Sequence, residues 1–225
     1  MKIGILKCGH MAEEIEATHG DYGHLYARML GDADFEYVVF AVVDMEFPTS
    51  LAEADGWLIT GSRHGAYEDL PWIAPLEKLI RQIRDAGQPL VGICFGHQII
   101  AKALGGTVEK FVDGWAVGQH IYQLGEQKIV ANAWHQDQVT QVPAGGNVLG
   151  SSTFCDNAVI AYGDKILTVQ AHPEFGSAIV ADLIKYRGVG VPDPLLKHAQ
   201  SKLSADNDNA VLIEMLATTL KKGAS

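Results

Sequence analysis

The stretch Pro89-Leu90-Val91-Gly92-Ile93-Cys94-Phe95-Gly96-His97-Gln98 permits few backbones. An apolar run reaches Gly92, a cysteine follows two residues later, and a second glycine stands two beyond that. A helical pattern then begins at Gln98 and stops at Gly105-Gly106. The physical reading is strand, sharp turn, helix, with Cys94 at the turn. This is Gly-x-Cys-x-Gly, the thiol version of the nucleophile elbow Gly-x-Ser-x-Gly. Side chains at the glycines would clash across so tight a turn. Cys94 is expected in a strained conformation at a helix N-terminus, where the dipole and free N–H groups favour a thiolate.

The flanking sequence extends the pattern. Lys2–Cys8, Tyr37–Val43 and Trp57–Thr60 read as strands, and Glu13–Glu16 as part of a loop after the first of them. Apolar residues at 22, 25, 26, 29 and 30 predict a helix capped by Asp21 and stopped by Gly31. Another helix follows, with Pro71 in its first turn and Trp72, Ile73, Leu76, Leu79, Ile80 and Ile83 on one face. Strand and helix alternate through residue 104, which predicts parallel βαβ units.

Beyond Gly105-Gly106 the texture changes. Thr107–Val112, Ala116–Leu124, Lys128–Val130, Asn147–Ser152, Ala158–Tyr162 and Ile166–Gln170 are short strand-like runs, the last two joined by Gly163-Asp164. Antiparallel strands are expected here. Helical spacing returns at Ser177–Tyr186, Gly188–Pro194 reads as loop, and Ala205–Asn209 as the capped start of a last helix, Ala210–Leu220. The expected fold is α/β: a mostly parallel central sheet flanked by helices, an added antiparallel region and a C-terminal helix. Residues 1–190 form the expected domain, and 191–225 a C-terminal loop and helical extension.

Composition removes several functions. A net charge of −10, without any Lys/Arg run, argues against a nucleic-acid surface. No apolar stretch reaches the ~20 residues of a membrane helix, and no leader pattern opens the chain. The three cysteines, Cys8, Cys94 and Cys155, make neither a disulfide framework nor a metal pattern. A cytoplasmic setting is expected, with no metal, cofactor or membrane.

A lone cysteine after a strand is ordinarily a small buried hydrophobe. A second stretch changes that reading here. Thr168-Val169-Gln170-Ala171-His172-Pro173-Glu174-Phe175 also ends an apolar run, with His172 and Glu174 two apart around a stiffening proline. A nucleophilic thiol needs a base for its proton, and the base needs an acceptor that fixes its tautomer. Cys94, His172 and Glu174 supply all three residue types.

Together, Gly92–Gln98 and His172-Pro173-Glu174 resemble the class I (triad) glutamine amidotransferases, in matching order over roughly residues 1–190. The resemblance implies an α/β sheet core and a cysteine that attacks the side-chain amide of glutamine. It implies a γ-glutamyl thioester, with ammonia released to a synthetase site. By the match Cys94 is the nucleophile, His172 the base and then the acid, Glu174 the orienting carboxylate, and Gln98 a holder of the substrate glutamine.

An oxyanion hole is also needed. Its expected donors are the Phe95 backbone N–H and the turn Thr60-Gly61-Ser62-Arg63-His64-Gly65. That turn departs from the Gly-Gly-Pro form of the guanylate-synthase type and resembles the γ-glutamyl peptidase-like branch. Gly61 and Ser62 are retained. Trp134-His135-Gln136-Asp137 lies where related guanylate-synthase domains carry His-x-Asp. It shapes the glutamine pocket, signals to a partner, or is a polar loop anchored by Trp134. Arg63 and His64 contact a substrate carboxylate or are solvated. His97 belongs to the first turn of the elbow helix.

Three functions stay open on sequence. The first is hydrolysis of glutamine, releasing ammonia for a separate synthetase subunit. The second is hydrolysis of γ-glutamyl peptides or conjugates without a partner. The third is a catalytically silent regulatory subunit, disfavoured because all three triad residue types are present.

Overall fold

Four apolar runs form the centre of a nine-stranded sheet in the computed structural model, which describes residues 1–223. They are β1 (Lys2–Leu6), β3 (Gly56–Ile59), β4 (Leu90–Ile93) and β11 (Ile166–Val169). Adjacent in that order, they run parallel, and β2 (Glu36–Phe40) extends them beyond β1. All three of β3, β4 and β11 are buried throughout. That is why they read as continuous apolar runs: a parallel strand covered on both faces needs apolar residues at every position.

Alternate residues serve opposite layers. Leu6, Trp57 and Ile59 face α3 (Ile73–Asp85) and α4 (Phe95–Ala103), packing against Leu76, Ile80, Ile99 and Ile100. Ile5, Leu58, Val91 and Val169 face the other layer, with Tyr26 from α2 (Tyr22–Leu30) and Leu212, Leu216 and Leu220 from α7 (Asn209–Lys221). The last helix thus packs against the central sheet.

The second half is antiparallel as expected. From β11 the sheet continues through β10 (Val159–Tyr162), β9 (Gly146–Ser152), β6 (Ala116–Leu124) and β7 (Gln127–His135). β5 (Thr107–Lys110) and β8 (Asp137–Gln141) form a separate two-stranded ribbon.

Four local expectations need correction. Residues 13–16 are not loop but the start of α1 (Glu13–His19), whose early acidic residues suit its N-terminal dipole. Pro194 stands in the first turn of α6 (Asp193–Ser201), so the expected loop ends sooner. Pro71 precedes α3 rather than opening it. Asp208 is the cap residue of α7, but its side chain accepts from the Val130 N–H (2.8 Å) while its own N–H donates to Val130 O (2.7 Å). It fastens the helix start to the outer strand β7.

Candidate active site

The C-terminal ends of adjacent parallel strands lie on one sheet edge, the usual ligand position in open α/β folds. Here β3 delivers the turn 60–65, β4 delivers Cys94, and β11 delivers His172 and Glu174. The sheet order β3-β4-β11 brings the three stretches together although 112 residues of sequence separate Thr60 from His172.

Cys94 is the N-cap of α4 at φ 53°, ψ −103°, and its N–H donates to Val169 O at 2.9 Å. A non-glycine residue at positive φ is strained and persists only where its surroundings hold it. The glycines supply that hold. A Cβ on Gly92 would lie 2.6 Å from the Gly96 carbonyl, and one on Gly96 would lie 2.3 Å from Ile59 O.

His172 Nδ1 lies 2.6 Å from Glu174 Oε1. A carboxylate accepts, so Nδ1 carries the proton and Nε2 is the nitrogen left for Cys94. The ring lies flat on Phe175, with centroids 4.1 Å apart and planes 5° from parallel. Asn132 O accepts from the His172 N–H at 2.8 Å, and the Asn132 and Asn209 amides both donate to Phe175 O, at 2.8 and 3.1 Å. Helices α1 and α5 (Ser177–Arg187) back Phe175 through Ile15, Ile179 and Leu183.

Burial alone would push the imidazole of His172 down. The nearby negative charges of Cys94 and Glu174, with the Glu174 hydrogen bond, outweigh it and raise the ring to about 10. The sulfur contact is looser than a formed hydrogen bond, since Nε2 has no partner at hydrogen-bond geometry. Such contacts commonly tighten only with substrate present. In Cys94→Ala the largest raising charge is gone, so the His172 titration followed by NMR is expected to move down. A titration that stays put would show that Cys94 does not act on the ring. By linkage, a raised imidazole adds stability below the unfolded value of 6.5, and loses it as pH rises through about 10.

Cys94 opens into a cleft of about 610 Å³, lined among others by Ser62, Arg63, Gln98, Trp134 and His135. His172 borders a smaller adjoining hollow of about 60 Å³ that shares Ser62, Arg63 and Trp134. Gln98 Nε2 donates to Asp137 O (2.8 Å) and Gln170 Oε1 (3.1 Å), tying the ribbon to the floor. Trp134 and His135 end β7 and Asp137 begins β8, so the stretch is two strand ends rather than a loop. His135 Nδ1 donates to Asp137 O (3.2 Å), leaving Nε2 as a buried acceptor without a partner. Burial, with the neighbouring His172 charge, lowers His135 to about 3 and keeps it neutral. Arg63 lines the cleft, while His64 Nδ1 lies 3.3 Å from Glu68 Oε2. His97, in the first turn of α4, faces the Thr168 hydroxyl at 2.8 Å.

One expectation is overturned. The Gly61 N–H does not point free into an oxyanion hole, because it donates to the Tyr26 hydroxyl at 2.9 Å. What Gly61 provides is closeness: a Cβ there would lie 3.2 Å from His172 Cε1 and 3.9 Å from Cys94 Cβ. Ser62 keeps its place on the cleft wall, and Phe95, the first residue of α4, has no intrahelical acceptor for its N–H.

The family description "Glutamine amidotransferase class-I" matches residues 18–180. The chain belongs to the class I glutamine amidotransferases. "Gamma-glutamyl peptidase 4" of Arabidopsis thaliana is 34% identical over 191 residues, 77% of this chain and 75% of the relative. A glutamine amidotransferase-like protein of Schizosaccharomyces pombe is 30% identical over 232 residues, 92% of this chain and 94% of the relative. The crystal structure of a glutamine amidotransferase from Thermotoga maritima superposes with a TM-score of 0.74 at 22% identity, covering 99% of this chain and 98% of that one. This amidotransferase fold is the α/β architecture expected from sequence. No helix among the described residues is long and apolar enough to cross a membrane.

Proposed function

We propose that this amidotransferase-family chain is a γ-glutamyl hydrolase that works through a Cys94 thioester. The observation that carries the reading is the convergence of Cys94, His172 and Glu174, with Nδ1 held by Glu174 at 2.6 Å. The thiol proton passes to His172 Nε2, and the resulting Sγ thiolate attacks the γ-carbonyl carbon. Phe95 and Ser62 N–H groups hold the resulting oxyanion. The C–N bond breaks as His172 returns its proton to the departing amine, leaving a γ-glutamyl thioester. Water, deprotonated by the same imidazole, then attacks the thioester and releases glutamate and the free thiol.

The leaving amine distinguishes the two versions of this chemistry. The cleft of about 610 Å³, lined by Tyr67, Trp115, Trp134 and Tyr186 among others, has room for more than ammonia. With the γ-glutamyl peptidase among the relatives, this supports γ-glutamyl peptides or conjugates as substrates and independence from a synthetase. Glutamine hydrolysis feeding a synthetase partner is the second reading, favoured by the family match itself. Three free, buried cysteines suit a reducing cytoplasm.

Incubation of the isolated chain with glutamine and with γ-glutamyl dipeptides, assayed for ammonia and free amino acid, separates the versions. Dipeptide cleavage at a kcat/KM at least tenfold above that for glutamine is expected. Hydrolysis confined to glutamine would overturn the peptidase reading.

A further inference from the structure

Tyr26 lies on α2, 148 residues away in sequence from the carboxylate it touches, and is fully buried. Its hydroxyl donates to Glu174 Oε1 at 2.7 Å and accepts from the Gly61 N–H at 2.9 Å. The direction is fixed: a backbone N–H can only donate, so the single phenolic proton goes to the carboxylate. Glu174 Oε1 therefore receives two protons, one from Tyr26 and one from His172 Nδ1 at 2.6 Å. Its other oxygen, Oε2, is buried with no partner. We propose that Tyr26 is a positioning residue for hydrolysis, its hydroxyl fixing the Glu174 carboxylate and the turn after β3 at one point. The proposal rests on Cys94, His172 and Glu174 being the reacting triad.

The argument turns on one atom. A phenylalanine would fill the same core volume, so packing alone does not call for the hydroxyl. Without it, Glu174 loses one of its two donors and can rotate about its terminal bond. The imidazole loses its fixed acceptor in proportion. The Gly61 N–H is left buried and unpaired beside the His172 ring. Burial and the Glu174 charge push the phenol's ionisation well above its ordinary value. Tyr26 is thus a donor across the whole working range.

The test compares wild type, Tyr26→Phe, Glu174→Gln and the double variant on a γ-glutamyl dipeptide, with Cys94→Ala as control. Loss of a hydrogen bond to a charged group predicts a fall in kcat of about 10- to 100-fold in Tyr26→Phe. KM should stay within about twofold, because Tyr26 touches no substrate. With one donor fewer, the Glu174 charge is less offset and acts more fully on His172, whose imidazole it already raises. The acid limb of kcat/KM should move up by about one pH unit. If Tyr26 acts through Glu174, the double variant is no slower than Glu174→Gln within about twofold.

An unchanged kcat and acid limb in Tyr26→Phe would overturn the proposal, as would losses that multiply in the double variant. Should Tyr26→Phe not fold, site-specific 3-fluorotyrosine at position 26 retains the hydroxyl and makes it a stronger donor. The acid limb should then move down, and an unmoved limb is the overturning result. Failure of the triad assignment looks different: Cys94→Ala would stay active.

Discussion

Cys94→Ala is expected to lower γ-glutamyl hydrolysis on the order of 10⁴- to 10⁶-fold and to end labelling by a glutamine-mimicking electrophile. The size follows from what the thiol does in the assigned mechanism. Attack, thioester formation and hydrolysis all pass through Sγ, and neither of the other two thiols lines the cleft. Cys8 and Cys155 are buried in the core, where desolvation pushes both thiols up, away from the reactive ionised form.

The fold should survive the substitution. Cys94 is small, its strained φ of 53° is as costly for alanine as for cysteine, and its backbone bonds remain. A change in unfolding free energy within about 1 kcal/mol is expected, so lost activity would not be lost structure. A residual rate within tenfold of wild type would refute the nucleophile assignment. Conversely, a γ-glutamyl adduct on Cys94, trapped in wild type and seen by mass spectrometry, would remove the silent-subunit reading.

The elbow was legible because three constraints coincide in seven residues. A strand had to end, a helix had to begin, and two glycines marked close backbone approach. His172 and Glu174 were legible as a pair because a proline between them fixes a turn at another strand end. What surrounds them was not. Tyr26 falls on an apolar helical face, and its periodicity is that of an ordinary core residue. Only the rule that a buried hydroxyl needs a partner pointed further, and it could not name Glu174.

The short helices escaped for a related reason. α1 buries Ile15 alone, and α6 buries Ala199 alone, too little apolar signal for a 3.6-residue period. Yet α1 backs Phe175, which stacks on His172, so an element faint in sequence stands directly behind the base. The oxyanion turn was legible as a stretch but not atom by atom. Which of its N–H groups is free depends on Tyr26, a contact 35 residues distant in the chain.

Gly96→Ala should be the most damaging of the glycine substitutions around the site for stability. Intrinsic preference points the other way, since alanine is favoured over glycine inside a helix by about 1 kcal/mol. Close approach decides the sign. The new Cβ would lie 2.3 Å from Ile59 O and 2.9 Å from Ile59 C, both backbone atoms, so no side chain can turn aside. Neither element has room to retreat. β3 is bonded to β1 on one side and β4 on the other, and every residue of α4 except Lys102 is buried.

Relief must come from moving α4 off the sheet, which opens packing around Ile99 and Ile100 and costs more than about 3 kcal/mol net. The same movement carries Cys94 away from the turn that follows Ile59, so surviving folded protein should be slow as well. Gly176→Ala is the control, because its φ is −84° and a Cβ there meets nothing within 4 Å. It should change stability by less than about 1 kcal/mol. Urea unfolding of both variants measures the difference directly, with unchanged m-values indicating a change in stability alone. Equal midpoints for the two would mean that the contact between α4 and the end of β3 does not hold the elbow in place.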